Sequence, residues 1–227
     1  MASTQYYAGI VDGQLSIAIS KPTTAVPEPS GWKAIRVTLA SNDARVAEEL
    51  TAKFRPTRVT LVKRHGKKDV CTALFVGEES KDLLEFAAEH CVLKKELATK
   101  TLEYIASTAT AEDVKGVVPM SEVEDVSLDW ASGFFDVRGV VVHPISAIPE
   151  TDDTPATKKR RGSVRLVLPK HEKFLIPALQ KILHGKVKKN SPCRLVYETQ
   201  DAINSFVDTV TDHVRAKKDD LESVIAY

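Results

Sequence analysis

The sequence predicts an α+β protein built from two copies of one unit, each running helix, two strands, helix, two strands, helix. Strand-like stretches alternate apolar and polar residues with a period of two, as in Leu15 to Ser20 and Trp32 to Leu39. Helical stretches lie between them, marked by polar caps and apolar residues four apart, such as Val46 and Leu50 after Ser41-Asn42-Asp43. Two unrelated signatures also recur at nearly one offset. Ala8-Gly9-Ile10-Val11-Asp12 is echoed by Ser132-Gly133-Phe134-Phe135-Asp136, with the aspartates 124 positions apart. Glu89-His90 with Lys94-Lys95 is echoed by Asp212-His213 with Lys217-Lys218, and both the histidines and the first lysines are 123 apart. Such a shared offset marks an internal duplication.

In the first copy a helix from Tyr6 to Asp12 precedes a strand from Leu15 to Ser20. The turn KPTTAVPEPSG leads to a second strand, Trp32 to Leu39, in which Ile35, Val37 and Leu39 are the apolar face. A capped helix, Ala44 to Phe54, follows, then strands Arg58 to Lys63 and Val70 to Val76 joined by the polar turn HGKK. A long helix from about Glu79 to Ser107 closes the unit, with Cys91 the point where it could break. The second copy repeats the plan with helix Leu128 to Asp136, strand Val140 to His143, a long loop, and strand Ser163 to Leu168. Helix Glu172 to Leu183, a hairpin ending in Cys193 to Tyr197, and a helix from Asp201 onward complete it. The expected organisation is a first unit at 1–113, a linker at 114–127 containing Pro119, and a second unit at 128–227.

A chain of 227 residues with 43% hydrophobic content can bury a core, and 28% charged residues suit a soluble protein. The opening MASTQYYAG has no basic and apolar leader pattern, and no apolar run approaches the roughly 18 residues of a membrane span. The expectation is an intracellular protein without membrane contact, cytoplasmic in a bacterial or phage setting and otherwise nuclear or organellar. Cys71, Cys91 and Cys193 stand apart, with no CxxC or Cys/His cluster, and read as reduced core residues. The net charge of +1 hides a basic zone, since residues 151–200 hold eight Lys and four Arg against four acids. Such a zone suits a polyanion partner, or a solvated surface that happens to be basic.

With this element order and the two glycine-aspartate helices in place, the chain resembles the single-chain, two-repeat type of LAGLIDADG homing endonuclease over nearly its whole length. The resemblance implies two motif helices packed at a pseudo-twofold axis through Ala8, Gly9 and Asp12 and through Ser132, Gly133 and Asp136. It also implies antiparallel sheets forming a saddle whose concave face meets the major groove of DNA. Small residues suit such close helix contact. The family carries an acid two residues after each of these aspartates, and the pair of acids holds the divalent metals that activate water. Those positions are Gln14 and Arg138 in this chain. A neutral amide is a poor ligand for Mg²⁺, and a guanidinium about 4 Å from a divalent ion at an effective dielectric of about 20 repels it by several kcal/mol. No metal, cofactor or catalytic residue is therefore expected, and Asp12 and Asp136 are expected to serve structure.

What remains is a surface for double-stranded DNA. Side chains alternating with the apolar strand positions are candidates for base contact: Arg36 and Thr38 in one strand, Arg58 and Thr60 in the next, and Arg165 and Arg194 in the second unit. Lys63, Arg64, Lys67 and Lys68 flank the first hairpin, and Lys186, Lys188 and Lys189 the later one. Lys158, Lys159, Arg160 and Arg161 form a basic loop suited to DNA contact, nuclear localisation or plain solvation. Lys94 and Lys217 resemble the family's lysine near the catalytic centre and could meet phosphates or coat a solvated helix. His90 and His213, four residues earlier, would share their helical face and read as structural. The expected function is sequence-specific binding of a long, quasi-palindromic duplex site by a monomer, without cleavage, in transcription regulation or repression. The alternatives are an active site-specific endonuclease with displaced metal ligands, and an RNA-binding or structural subunit of a ribonucleoprotein.

Overall fold

A computed structural model describes residues 2–19, 35–41, 43–63, 70–118, 120–144, 162–188 and 190–225. The chain divides into two compact units, Met1–Met120 and Ser121–Tyr227. That division falls inside the segment 114–127. No helix among the described residues is long and apolar enough to cross a membrane.

The first unit opens with α1, Thr4–Gln14, whose N-terminus is capped by the Ser3 hydroxyl accepting from the Tyr6 amide at 3.1 Å. Leu15 leaves the helix in extended geometry and begins β1, Leu15–Ile19, which pairs with β2, Ile35–Ser41. Asp43 caps α2, Ala44–Lys53, through the Arg45 amide and also grips the Arg45 guanidinium at 2.9 Å. Strands β3, Arg58–Val62, and β4, Val70–Val76, complete an antiparallel sheet of order β1-β2-β4-β3. One face of that sheet, with Val37, Leu39 and Phe75, is buried together with Val46 and Leu50 of α2 and Leu83, Leu84 and Ala87 of α3, Glu79–His90. The expected long final helix is broken into α3 and α4, Lys95–Ile105, at Cys91. A short α5, Ala111–Lys115, held by a Thr110/Asp113 capping box, runs into the expected linker.

The second unit repeats this plan. Helix α6, Leu128–Arg138, is capped by Ser127 and leads through Gly139 into β5, Gly139–Val142. Strand β6, Ser163–Val167, is followed by a 3₁₀ turn, Lys170–Leu175, and by α7, Ile176–Leu183. The sequence suggested one helix from Glu172. Pro177 lies in the first turn of α7, where its missing N–H is harmless, so the α-helix starts there and the tighter turn precedes it. Strands β7, Lys186–Lys188, and β8, Ser191–Tyr197, give a second antiparallel sheet of order β5-β6-β8-β7. Beyond them, α8, Gln200–Val210, and α9, Lys218–Ile225, replace the single helix expected from Asp201. Aromatic rings dominate this core: Trp130 stacks on Phe134 at 4.8 Å, and Phe206 lies 4.3 Å from Tyr197 and 4.9 Å from Phe135. The buried Tyr197 hydroxyl donates to the Leu183 carbonyl at 2.9 Å, and burial pushes its pKa up.

Gly139 is fixed by space. A Cβ there would lie 2.4 Å from a Phe135 ring carbon and 2.5 Å from the Phe135 carbonyl oxygen, both inside van der Waals contact. Gly139→Ala is expected to destabilise the fold by about 1–3 kcal/mol in urea denaturation, and an unchanged midpoint would refute the crowding.

The cysteines are free and differ in exposure: Cys71 and Cys91 are buried, whereas Cys193 is half-exposed rather than part of the core. Burial pushes the Cys91 thiol up, reinforced by the Asp12 carboxylate, and Cys71 is raised by burial and by Glu48. A disulfide exchange reagent at neutral pH should therefore label Cys193 first, and Cys91 only after denaturant is added, as read by mass spectrometry of digested peptides.

Candidate nucleic-acid interface

Both glycine-aspartate helices end in the same construction. Asp12 is fully buried near the end of α1, and its Oδ2 accepts from the Val92 amide at 2.7 Å while Oδ1 accepts from Leu93 at 2.9 Å and Lys94 at 2.8 Å. Asp136 does the same from α6, accepting from Arg215, Ala216 and Lys217 at 2.8, 3.0 and 2.9 Å. These amides open the segments that lead into α4 and α9. Each carboxylate thus supplies acceptors to a turn with few intrahelical partners. The expected structural role of the two aspartates has this physical content.

The same clamp corrects the placement of the histidines and lysines. His90 ends α3 and Lys94 is the residue before α4, so the break at Cys91 separates them and no common helical face exists. His213 sits in the turn after α8, with Nδ1 2.5 Å from Asp129 Oδ1. Lys94 is half-buried, but Lys217 is only 8% exposed, and its ammonium donates to the Asp136 carbonyl. The proposed phosphate contact by Lys217 is corrected on that geometry: the ammonium is turned inward.

Two residues beyond each aspartate stand Gln14 and Arg138. Gln14 is half-buried with an unpartnered, solvent-shielded Oε1. Arg138 Nη2 lies 3.8 Å from Oε1 of the buried Glu172, an oxygen that His171 Nε2 also approaches at 3.6 Å. Glu172 Oε2 and Arg138 Nε have no hydrogen-bond partner. Sequence reasoning missed Glu172, because it lies 34 positions downstream in a turn that no periodicity singles out.

Each sheet has one face under its helices and one open. In the first sheet the register places Ser16, Thr38, Leu74 and Arg58 in one row across all four strands. Ala18, Arg36 and Val76 form a second row, and Ala40, Thr72 and Thr60 a third. Arg36, Thr38, Arg58 and Thr60 are therefore brought to one face as expected from alternation. Thr72 and Leu74 join them and were missed, though the buried Cys71, Ala73 and Phe75 gave the parity needed to find them. Among the described strands of the first sheet the alternation fails in β3, where Val59 and Leu61 are 47% and 54% exposed. They occupy the edge strand, beyond the cover of the helices. In the second sheet Val140, Arg165, Val196 and Lys186 make one row, and Val167 and Arg194 the next. Lys63 and Lys188 are exposed near strand ends, and Lys188 reaches Glu198 at 3.3 Å. Arg64, Lys67, Lys68, Lys158, Lys159, Arg160, Arg161 and Lys189 lie outside the described residues.

No protein-family model and no curated protein sequence matches the chain. Solved structures do. The LAGLIDADG homing endonuclease I-GzeII, in complex with its DNA target, aligns with a TM-score of 0.64 at 13% identity over 98% of this chain and 88% of that one. The chain has the LAGLIDADG homing endonuclease fold. The LAGLIDADG meganuclease I-AabMI, bound to uncleaved DNA, gives 0.65 at 12% identity over 99% and 89%. I-SmaMI, bound to an uncleaved DNA target in the presence of calcium ions, gives 0.63 at 12% over 96% and 87%.

The LAGLIDADG resemblance implies a divalent metal held by the penultimate motif residues, and the donors present do not fit one. At the positions that the resemblance aligns with those residues stand a neutral amide, Gln14, and a guanidinium, Arg138, that faces Glu172. Asp12 and Asp136 hold three amides each. Among the described residues no three His, Cys, Asp or Glu side chains gather in a way that could hold a metal ion.

Asp12→Asn and Asp136→Asn turn an amide N–H₂ toward backbone donors. Each is expected to lower unfolding stability by about 2–4 kcal/mol. Equilibrium urea denaturation reads this, and a loss below half a kilocalorie would show the clamp to be dispensable.

Proposed function

We propose that the chain binds double-stranded DNA sequence-specifically, as a monomer, without cutting it, and that it regulates transcription by occupying its site. The observation that carries this reading is the end of helices α1 and α6, where Gln14 and the ion-paired Arg138 stand at the positions that the LAGLIDADG resemblance gives to metal-binding acids. Binding does not need those acids. It needs side chains on an open sheet face and cations near phosphates, and the position of Arg36, Arg58, Arg165, Lys186 and Arg194 on the open sheet faces supports this reading. The structural neighbours of the chain include proteins bound to DNA, which supports the same direction. A bound protein of this size can block a promoter by occupancy alone. The step from DNA binding to regulation rests on the missing chemistry and on fold analogy.

A second reading, a nuclease with displaced acids, rests on the unpartnered Oε2 of Glu172 beside Arg138. One experiment separates the two. The protein is incubated with a random duplex pool across a salt series, with and without Mg²⁺, and with structured RNA as competitor. The expected result is an enriched long site that stays intact in Mg²⁺. With about six phosphate contacts, affinity should fall roughly a thousandfold between 50 and 200 mM salt. Strand cleavage that disappears in Glu172→Gln would favour the nuclease, and preferential capture of the RNA would move the assignment to a ribonucleoprotein role.

A further inference from the structure

We infer that the second unit carries an effector site, a cationic cleft for a small ligand bearing two adjoining phosphates, and that this ligand competes with duplex DNA for Arg194. The effect on DNA rests on the duplex reading above; the cleft itself does not.

The cleft opens where β6 ends and has a volume of about 440 Å³, within the range of small-molecule sites. Strands β6 and β8 stay paired up to its edge, where the Leu168 amide donates to the Cys193 carbonyl at 2.9 Å. Lys170 and Lys173 line it from the 3₁₀ turn, and Ser191, Cys193 and Arg194 line it from β8. No carboxylate is among the lining residues. Glu172, the acid of that turn, is buried and lies beside Arg138 and His171 instead. Among the described residues none of the three cations of the cleft has an ion-pair partner, and the Nε of Arg194 is shielded from solvent with nothing to donate to. A shielded donor without an acceptor is costly, and like charges gathered in one cleft repel. An anion relieves both.

Charge selects the kind of anion. A phosphate monoester carries about −1.5 to −2 at pH 7, so three cations are matched by two adjoining phosphates rather than one. The arginine fork takes two phosphate oxygens in parallel, and lysines act beside it as point charges. The corresponding corner of the first unit is built otherwise. Its cysteine, Cys71, lies opposite Ser41 and is buried, and Asp43, just beyond that strand, holds Arg45 at 2.9 Å. The shared topology therefore does not demand an open cationic corner, and the cleft belongs to the second copy's own sequence. Arg194 also lies opposite Val167 on the second sheet, in the set of cations that supports DNA binding. Its fork serves one phosphate-bearing partner at a time. By linkage, a ligand that holds Arg194 weakens DNA binding, and DNA weakens ligand binding by the same factor.

The half-exposed Cys193 reports on occupancy of the cleft. The full chain is alkylated with iodoacetamide, with and without inorganic pyrophosphate or ADP, in EDTA at constant ionic strength, and labelling is read by peptide mass spectrometry. Both probes should slow alkylation of Cys193 at least fivefold at saturation and leave Cys71 and Cys91 unaffected. Lys170→Gln/Lys173→Gln should abolish the protection while keeping its circular dichroism spectrum and melting temperature. Saturating ADP should weaken binding of the selected duplex about tenfold in fluorescence anisotropy, and should have no effect on the double variant. Protection by neither probe, or equal protection by chloride at matched ionic strength, overturns the inference and leaves DNA binding in place. Protection of Cys193 by duplex but not by ADP also overturns it, because the cleft then serves the DNA backbone. If ADP protects Cys193 and no duplex site is ever enriched, the cleft stands and the DNA reading alone falls.

Discussion

A carboxylate shut away from water must find hydrogen-bond donors, and Asp12 and Asp136 find them in three consecutive backbone amides 80 or so positions along the chain. The pairing meets two demands at once. It satisfies a buried charge, and it satisfies amide groups where the backbone turns toward a new helix. In each unit it also ties the first helix to the last helical segment, across everything that lies between them in sequence. The break at Cys91 follows from it, as does the inward turn of Lys217 toward the Asp136 carbonyl. A lysine already committed to a carbonyl is no longer a surface cation.

The clamp separates the demands of folding from those of chemistry. The aspartate is required where it stands, because no neutral residue of its size accepts three amides. The residue two positions on has no such duty. Glutamine stands there in one copy and arginine in the other, and the arginine lies 3.8 Å from the Glu172 carboxylate. The scaffold as described therefore does not depend on an acid at either of those two positions.

Much of this was legible in the sequence. The duplicated spacing gave the repeat, and period-two alternation gave the strands and put Arg36, Thr38, Arg58, Thr60 and Arg165 on open faces. These are local signals, fixed by pleat geometry. The sequence did not reveal the division of the last helix of the second unit, because its cause, Asp136, lies 79 positions away from Arg215. Glu172 was invisible for the same reason, since its significance comes from Arg138 beside it in space. The early start of the turn before α7 was hidden differently. Pro177 fits the first turn of a helix as well as it breaks one, and only the observed hydrogen bonds show which.

The two edge strands β3 and β7 occupy the same place in their sheets and have unlike surfaces. Strand β7 is short, carries Lys186 and Lys188, and is irregular between Val187 and Lys188. Those are devices that discourage another chain from pairing with a free edge. Strand β3 has none in its interior, and Val59, Leu61 and Val62 are all exposed along it. An exposed apolar edge favours self-association, so the first unit is expected to be the more aggregation-prone of the two at high concentration. A single lysine at Leu61 would be the economical way to keep the molecule dispersed without touching the face that carries Thr60.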